Sequence, residues 1–351
     1  MTGVLLINLG TPDAPTPAAV GRYLRQFLMD PFVIDTPAPF RWLLVNIAIV
    51  PRRKYKSAEA YQKVQLPEGS PLLVYTRALA DEVARRLDLS GENYAVEFGM
   101  RYGNPSIKSA LESLKSRGVS RIIVLPLYPQ YAESSFETAV VETKRAAREL
   151  GCEDLLSFLP PFYHDPGFIN AWAERIRANI DPEKTDHLVF SFHSVPVRHL
   201  TKFHHDNRTP SAQCCTEVTA VNLNCYRAQC FETARAIAAQ LQLHRDDYTV
   251  SFQSRLGRAE WIGPNTVDVF EDLARRRVKR IAVACPSFVS DCLETLEEMG
   301  MRGRETFLNA GGESFQLIPS LNGDAAWAEA LAQSIRAAAN QRSFAASQKD
   351  A

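Results

Sequence analysis

A chain of 351 residues exceeds what one hydrophobic core usually organises, so two domains are expected. Hydrophobic residues make up 46% of it, enough to bury both, which excludes a disordered chain. Forty basic side chains balance forty acidic ones, so no global field favours nucleic acid or an anionic membrane.

The chain enters an apolar run at once, residues 4–9, ending at the turn signal Gly10-Thr11-Pro12-Asp13. No basic segment followed by a long apolar core precedes it, so no signal peptide is read and a cytoplasmic protein is expected. Thr16 and Pro17 read as the cap and first residue of a helix carrying Val20, Leu24, Phe27 and Leu28 on one face. The longest greasy stretch, residues 39–50, is interrupted by Arg41 and Asn46 and is too short to span a bilayer. A helix over 72–87, a strand over 95–100, a helix over 106–114 and a buried strand over 122–127 follow. Pro160-Pro161 falls between the two halves. The second half repeats the rhythm: a helix over 168–180, strands over 188–192 and 248–253, and a helix over 266–273. A strand over 281–284, a helix from Val289, a strand over 314–318 and an Ala-rich helix over 325–339 complete it. Alternating strands and helices argue for parallel sheets of βαβ units. The expected domains are residues 1–162 and 163–322, with the last helix, 323–340, packing back on the first and 341–351 frayed. No GxGxxG or Walker-type loop is present, so no nucleotide is expected.

Two segments carry chemistry. His193 ends one apolar strand, and Glu294 follows another, Ile281-Ala282-Val283-Ala284. In open α/β sheets that C-terminal strand edge is where ligands bind. A neutral imidazole and a carboxylate suit a borderline divalent metal and proton removal. On residues alone, a strand-end histidine is more often structural. Asp291, Glu294 and Glu298 fall at i, i+3 and i+7 and are expected on one helix face, either as a proton or metal path or as a solvated acidic surface. Trp261 sits in a Glu-Trp-Ile-Gly-Pro turn and could stack on a ligand or fill the core.

The seven cysteines are an odd number in a reducing compartment, which argues against a disulfide framework. Cys214, Cys215, Cys225 and Cys230 crowd into 17 positions. An adjacent pair fits zinc-site spacing poorly, whereas iron–sulfur clusters accept varied spacings and all-thiolate ligation. A 2Fe–2S cluster is expected from the segment 206–230, with zinc or free thiols as alternatives.

The motifs together resemble the ferrochelatase family. Its wording runs through Asn8-Leu9-Gly10-Thr11-Pro12, Gly69-Ser70-Pro71-Leu72 and Leu125-Pro126-Leu127-Tyr128-Pro129-Gln130-Tyr131. It continues in Ser191-Phe192-His193-Ser194-Val195-Pro196, Gln253-Ser254-Arg255-Leu256-Gly257 with Trp261-Ile262-Gly263-Pro264, and Asp291-Cys292-Leu293-Glu294-Thr295. Six motifs in family order span residues 5–322. The resemblance implies two Rossmann-like domains with a porphyrin cleft between them, and insertion of Fe²⁺ into protoporphyrin IX with loss of two protons. It implies His193 and Glu294 as catalytic groups and Fe²⁺ ligands, with Asp291 and Glu298 on the proton or metal path. Porphyrin contacts are implied for Leu9, Arg53, Tyr61, Ser70, Arg101, Tyr102, Tyr128 and Trp261. The apolar stretch before Arg53 would form a lip over the macrocycle that could also rest on a membrane. Many relatives carry His where Cys292 stands. Coproporphyrin or another tetrapyrrole as substrate, and a non-catalytic porphyrin or haem carrier, are the alternatives.

Overall fold

The computed structural model describes residues 1–89, 91, 93–201, 215, 217–255, 257 and 259–347. The chain divides into two units. The first holds Met1–Leu127, Glu133–Pro161 and the chain from Asn322 onward; the second holds Tyr128–Ala132 and Phe162–Leu321.

The first unit is built on a parallel sheet in the order β2-β1-β3-β4, with β1 Thr2–Thr11, β2 Tyr94–Gly103, β3 Arg121–Pro126 and β4 Leu156–Phe158. Val4, Leu5, Leu6 and Ile7 are all fully buried, as a central parallel strand covered on both faces requires. Between β1 and β2 come α1 (Pro17–Leu28), α2 (Ala38–Leu43), a π-helical stretch Leu44–Ile49, α3 (Val50–Val64) and α4 (Pro71–Asp88). The Thr16 side chain accepts from the Ala19 N–H and Pro17 opens α1, so that helix starts where its cap residues predict. Gly10 has φ +108°, and a Cβ there would lie 1.7 Å from the Tyr102 carbonyl oxygen, so only glycine lets β1 run so close to β2. The crossovers α5 (Ile107–Ser116) and α6 (Thr138–Leu150) complete the layers. The last helix, α12 (Ala325–Ser347), packs on α4 and β3, with the Arg121 guanidinium donating to the Ala339 carbonyl at 2.6 Å. It continues past the expected limit at 339, because 340–347 holds no proline or glycine to stop it.

The second unit repeats the topology. Its parallel sheet has the order β6-β5-β7-β8, from β5 His187–His193, β6 Tyr248–Gln253, β7 Arg280–Ala284 and β8 Ser314–Leu317. Its helices are α7 (Pro166–Asn179), α8 (Val197–Thr201), α9 (Tyr226–Gln240), α10 (Thr266–Arg275) and α11 (Arg304–Asn309). Phe270, Phe307 and Phe315 meet edge-on or tilted in the core under β7.

One expectation is corrected. No helix starts at Val289; after a single helical residue, Leu293, a π-helix covers Glu294–Gly303 and leads into α11. Its wider i→i+5 turn means that α-helical spacing does not decide which carboxylates share a face.

Candidate active site

In the second unit the strands run parallel, so β5, β6 and β7 all end at one sheet edge. His193 closes β5 there, half-buried. Its Nδ1 lies 2.6 Å from the Ser194 carbonyl oxygen. A carbonyl can only accept, so Nδ1 carries the proton and Nε2 is left with its lone pair, ready to take a proton or a metal.

Glu294 opens the π-helix that follows β7. The Gln253 side-chain amide donates to its backbone carbonyl at 3.0 Å, and Ser191 Oγ donates to Gln253 Oε1 at 2.7 Å. The base of the site is thus tied across β5, β6 and the π-helix by buried hydrogen bonds, which hold one arrangement when every member is satisfied. The Cys292 thiol hydrogen-bonds the Glu294 carboxylate; burial first, and this carboxylate second, push that thiol's pKa up.

Glu298 lies one π-turn on. Its two oxygens accept from the Ser254 N–H at 3.0 Å and the Ser254 hydroxyl at 2.6 Å. Ser254 reaches this bidentate grip at φ +65°, a left-handed backbone uncommon for a residue with a side chain. Burial raises the Glu298 pKa; the Ser254 hydrogen bond lowers it, the Glu294 charge raises it, and His193 and Arg302 lower it. Glu294, Glu298 and His193 therefore lie within electrostatic reach of one another. Glu298 also lines an open groove of about 300 Å³ with Arg302, Glu305, Thr306 and Asn309.

Asp291 has hydrogen-bond partners of its own. It precedes the helix, and its carboxylate accepts from Thr295 Oγ1 at 2.9 Å and from the Ser320 N–H, as a turn-holding group does. Glu297 is buried and paired with Arg302 at 2.9 Å, five residues on, the spacing a π-helix brings together. Trp261 is half-buried and bridges to Pro196 in antiparallel fashion, so it stands beside the turn after His193. Tyr128 is buried at the start of the short Tyr128–Ala132 segment.

The remaining expected porphyrin residues belong to the first unit. Leu9 is half-buried at the end of β1. Ser70 caps α4 and accepts from the Thr11 hydroxyl at 2.7 Å, which ties β1 to that helix. Arg53 is exposed on α3, and Tyr61 is half-buried on the same helix. Arg101 and Tyr102 are committed inward. Arg101 pairs with the buried Asp30, and the Tyr102 hydroxyl donates to the same carboxylate at 2.8 Å, as does Thr138 at 2.6 Å. Burial, more than any neighbouring charge, pushes the Tyr102 phenol far above its ordinary pKa. Asp30, Gln253 and Ser254 were missed as site-supporting residues; only the motif around Gln253 and Ser254 offered a signal.

Of the cysteine cluster, Cys214 lies outside the described residues. Cys215, Cys225 and Cys230 are buried, and the Cys215 and Cys225 sulfurs stand 3.4 Å apart. Among the described residues, no three His, Cys, Asp or Glu side chains converge as a metal-binding group.

Two parallel α/β units with a histidine and carboxylates at a strand edge define a chelatase-type scaffold. The same fold occurs in SirB from Bacillus subtilis, solved with Fe³⁺, at TM-score 0.53 and 11% identity over 98% of this chain and 97% of that one. A ferrochelatase family profile matches residues 1–339. The ferrochelatase of Azotobacter vinelandii is 48% identical over 95% of this chain and 98% of its own. That of Coxiella burnetii (strain Dugway 5J108-111) is 45% identical over 94% and 92%. The chain belongs to the ferrochelatase family, the porphyrin metal chelatases that insert iron.

Proposed function

We propose that the protein inserts Fe²⁺ into protoporphyrin IX, giving the iron porphyrin and releasing two protons, as the iron-inserting step of haem synthesis. The observation that carries this reading is His193, whose Nε2 lone pair is left open by the Nδ1 contact with the Ser194 carbonyl. One pyrrolic proton leaves to Nε2. Glu294 supplies a carboxylate for the second proton or for the entering cation, and Glu298, whose pKa is raised by burial, relays protons toward the groove it lines. The iron exchanges its water shell for the four ring nitrogens, so charge balances: a dication enters and two protons leave. Asp291 holds the turn from which Glu294 projects. Arg53, exposed after the apolar lip, is the cation for a propionate, with Leu9, Tyr61, Ser70, Tyr128 and Trp261 as further porphyrin contacts. Arg101 and Tyr102 serve that surface through Asp30, as supports and not as direct contacts.

Phe40, Trp42, Leu43, Leu44 and Ile47 are all exposed on the lip, which suits a greasy substrate and a peripheral membrane contact from the cytoplasmic side. No helix among the described residues is long and apolar enough to cross a membrane. For the cysteine segment, a 2Fe–2S cluster held by Cys214, Cys215, Cys225 and Cys230 remains the reading. Two buried thiols 3.4 Å apart suit two ligands of one iron. Such a cluster would order the segment and takes no part in chelation.

The assay is anaerobic Fe²⁺ insertion followed by the loss of porphyrin fluorescence, run with protoporphyrin IX and coproporphyrin side by side. Faster turnover of coproporphyrin would reassign the substrate. Tight porphyrin binding without insertion of any metal would make the protein a carrier.

A further inference from the structure

His193 sits where the sheet has run out of partners. On the β6 side the ladder reaches it, and the Ser194 N–H still donates to the Gln253 carbonyl at 2.7 Å. On the β7 side the register ends at Phe190 against Ala284, three residues short. In a strand the N–H and C=O of one residue point to the same side, so those of His193 face the side that β7 has left. Buried backbone groups need partners. Two side chains provide them. Ser287 Oγ accepts from the His193 N–H at 3.3 Å, and the Tyr226 hydroxyl donates to the His193 carbonyl at 2.7 Å. The two hydroxyls are themselves 3.1 Å apart, closing a bracket around one residue.

Tyr226 is itself immobilised. It opens α9 directly after Cys225, is buried, and hydrogen-bonds Cys230 as well. Gln229 and Thr233, at i+3 and i+7 on the same helix face, fix α9 in turn. Gln229 accepts from the Tyr131 N–H at 2.6 Å and donates to the Leu223 carbonyl at 2.7 Å, and Thr233 donates to the Tyr163 carbonyl at 2.7 Å. The hydroxyl that holds His193 thus stands on a helix pinned at several points, between two of the clustered cysteines.

We propose that Tyr226 is a positioning residue for His193, and that through it helix α9, with Cys225 at its start and Cys230 within it, is mechanically part of the metal-insertion site. The inference rests on the reading of His193 given above. Without the hydroxyl, the His193 carbonyl loses its partner and the strand end is free to shift, which moves Nε2 relative to the reacting proton. A displacement of about 1 Å at a reacting group costs up to roughly 100-fold in rate.

The test is Tyr226→Phe, which keeps the ring and removes only the hydroxyl, measured alone and in a His193→Ala background. The expected result is a kcat reduced roughly 10- to 100-fold with the KM for porphyrin within about twofold of wild type. In the His193→Ala background the same change is expected to add less than about twofold, because the group it positions is gone. Should Tyr226→Phe fold poorly, Ser287→Ala removes the other half of the bracket and is expected to lower kcat in the same direction. Unchanged kcat in folded Tyr226→Phe or Ser287→Ala, with His193→Ala inactive, overturns the positioning role alone. An equal further loss on top of His193→Ala does so too. Wild-type turnover by His193→Ala defeats the role assigned to His193 and the positioning role with it.

Discussion

The raised pKa of Glu298 is the residue-scale property most open to measurement. A carboxyl whose folded-state pKa lies above its ordinary value of 4.5 contributes stability that is fully present below that pH. That contribution is lost as pH rises through the elevated folded value, because burial then opposes the charge. An ionised Glu298 is therefore a cost that its Ser254 hydrogen bonds only partly offset. Glu298→Gln is expected to melt at a higher temperature than wild type at pH 7.5, with the difference shrinking as pH falls toward 4.5. A difference that does not change across that range would mean that the carboxyl titrates as it does in water. Asp30, in the first unit, shows why some side chains defeat local reading. Its partners Arg101, Tyr102 and Thr138 lie 71, 72 and 108 residues away, so no spacing in the sequence announces the network.

At the scale of elements, what was legible had a local cause. The strands on either side of His193 and Glu294 are short runs of buried apolar residues bounded by turn residues, and α1 begins at its Thr16-Pro17 cap. The three-residue β4 is too short to carry a period, and α9 went unread because alanines, Gln229, Cys230 and Thr233 occupy much of its buried face. The π-helix was invisible because Asp291, Glu294 and Glu298 also satisfy α-helical spacing; only packing decides for the wider turn. That geometry gives Glu294 and Glu297 different duties. Glu294→Gln is expected to depress turnover roughly 10²- to 10⁴-fold, the range for losing an acid–base group. Glu297→Gln loses the pair with the largely exposed Arg302, is expected to cost about 1 kcal/mol or less of stability, and should leave kcat nearly unchanged. Urea denaturation and steady-state rates on both variants read the two effects separately. Equal rate losses would make the acidic helix a general electrostatic surface.

For the whole molecule, the two units share one strand order although the sequence shows no internal repeat, and SirB shares the fold at 11% identity. Such a scaffold does not dictate chemistry; the groups at its strand edge do. The worth of the proposed cluster in the cysteine segment should be stability. Cys225→Ser is expected to remove any visible cluster absorption and lower Tm together, since ligands ordered by a metal loosen when it is lost. Anaerobically purified wild-type protein with neither iron nor acid-labile sulfide would contradict the cluster, and stoichiometric zinc would reassign the site. The central claim is narrower: Nε2 of His193 takes the porphyrin proton or the metal. Its direct test is His193→Ala in the anaerobic Fe²⁺ insertion assay, with porphyrin binding followed in parallel by fluorescence. The account predicts a loss of at least 10²- to 10⁴-fold in turnover with porphyrin affinity largely retained; turnover within about tenfold of wild type, short of the low end of that range, would contradict it.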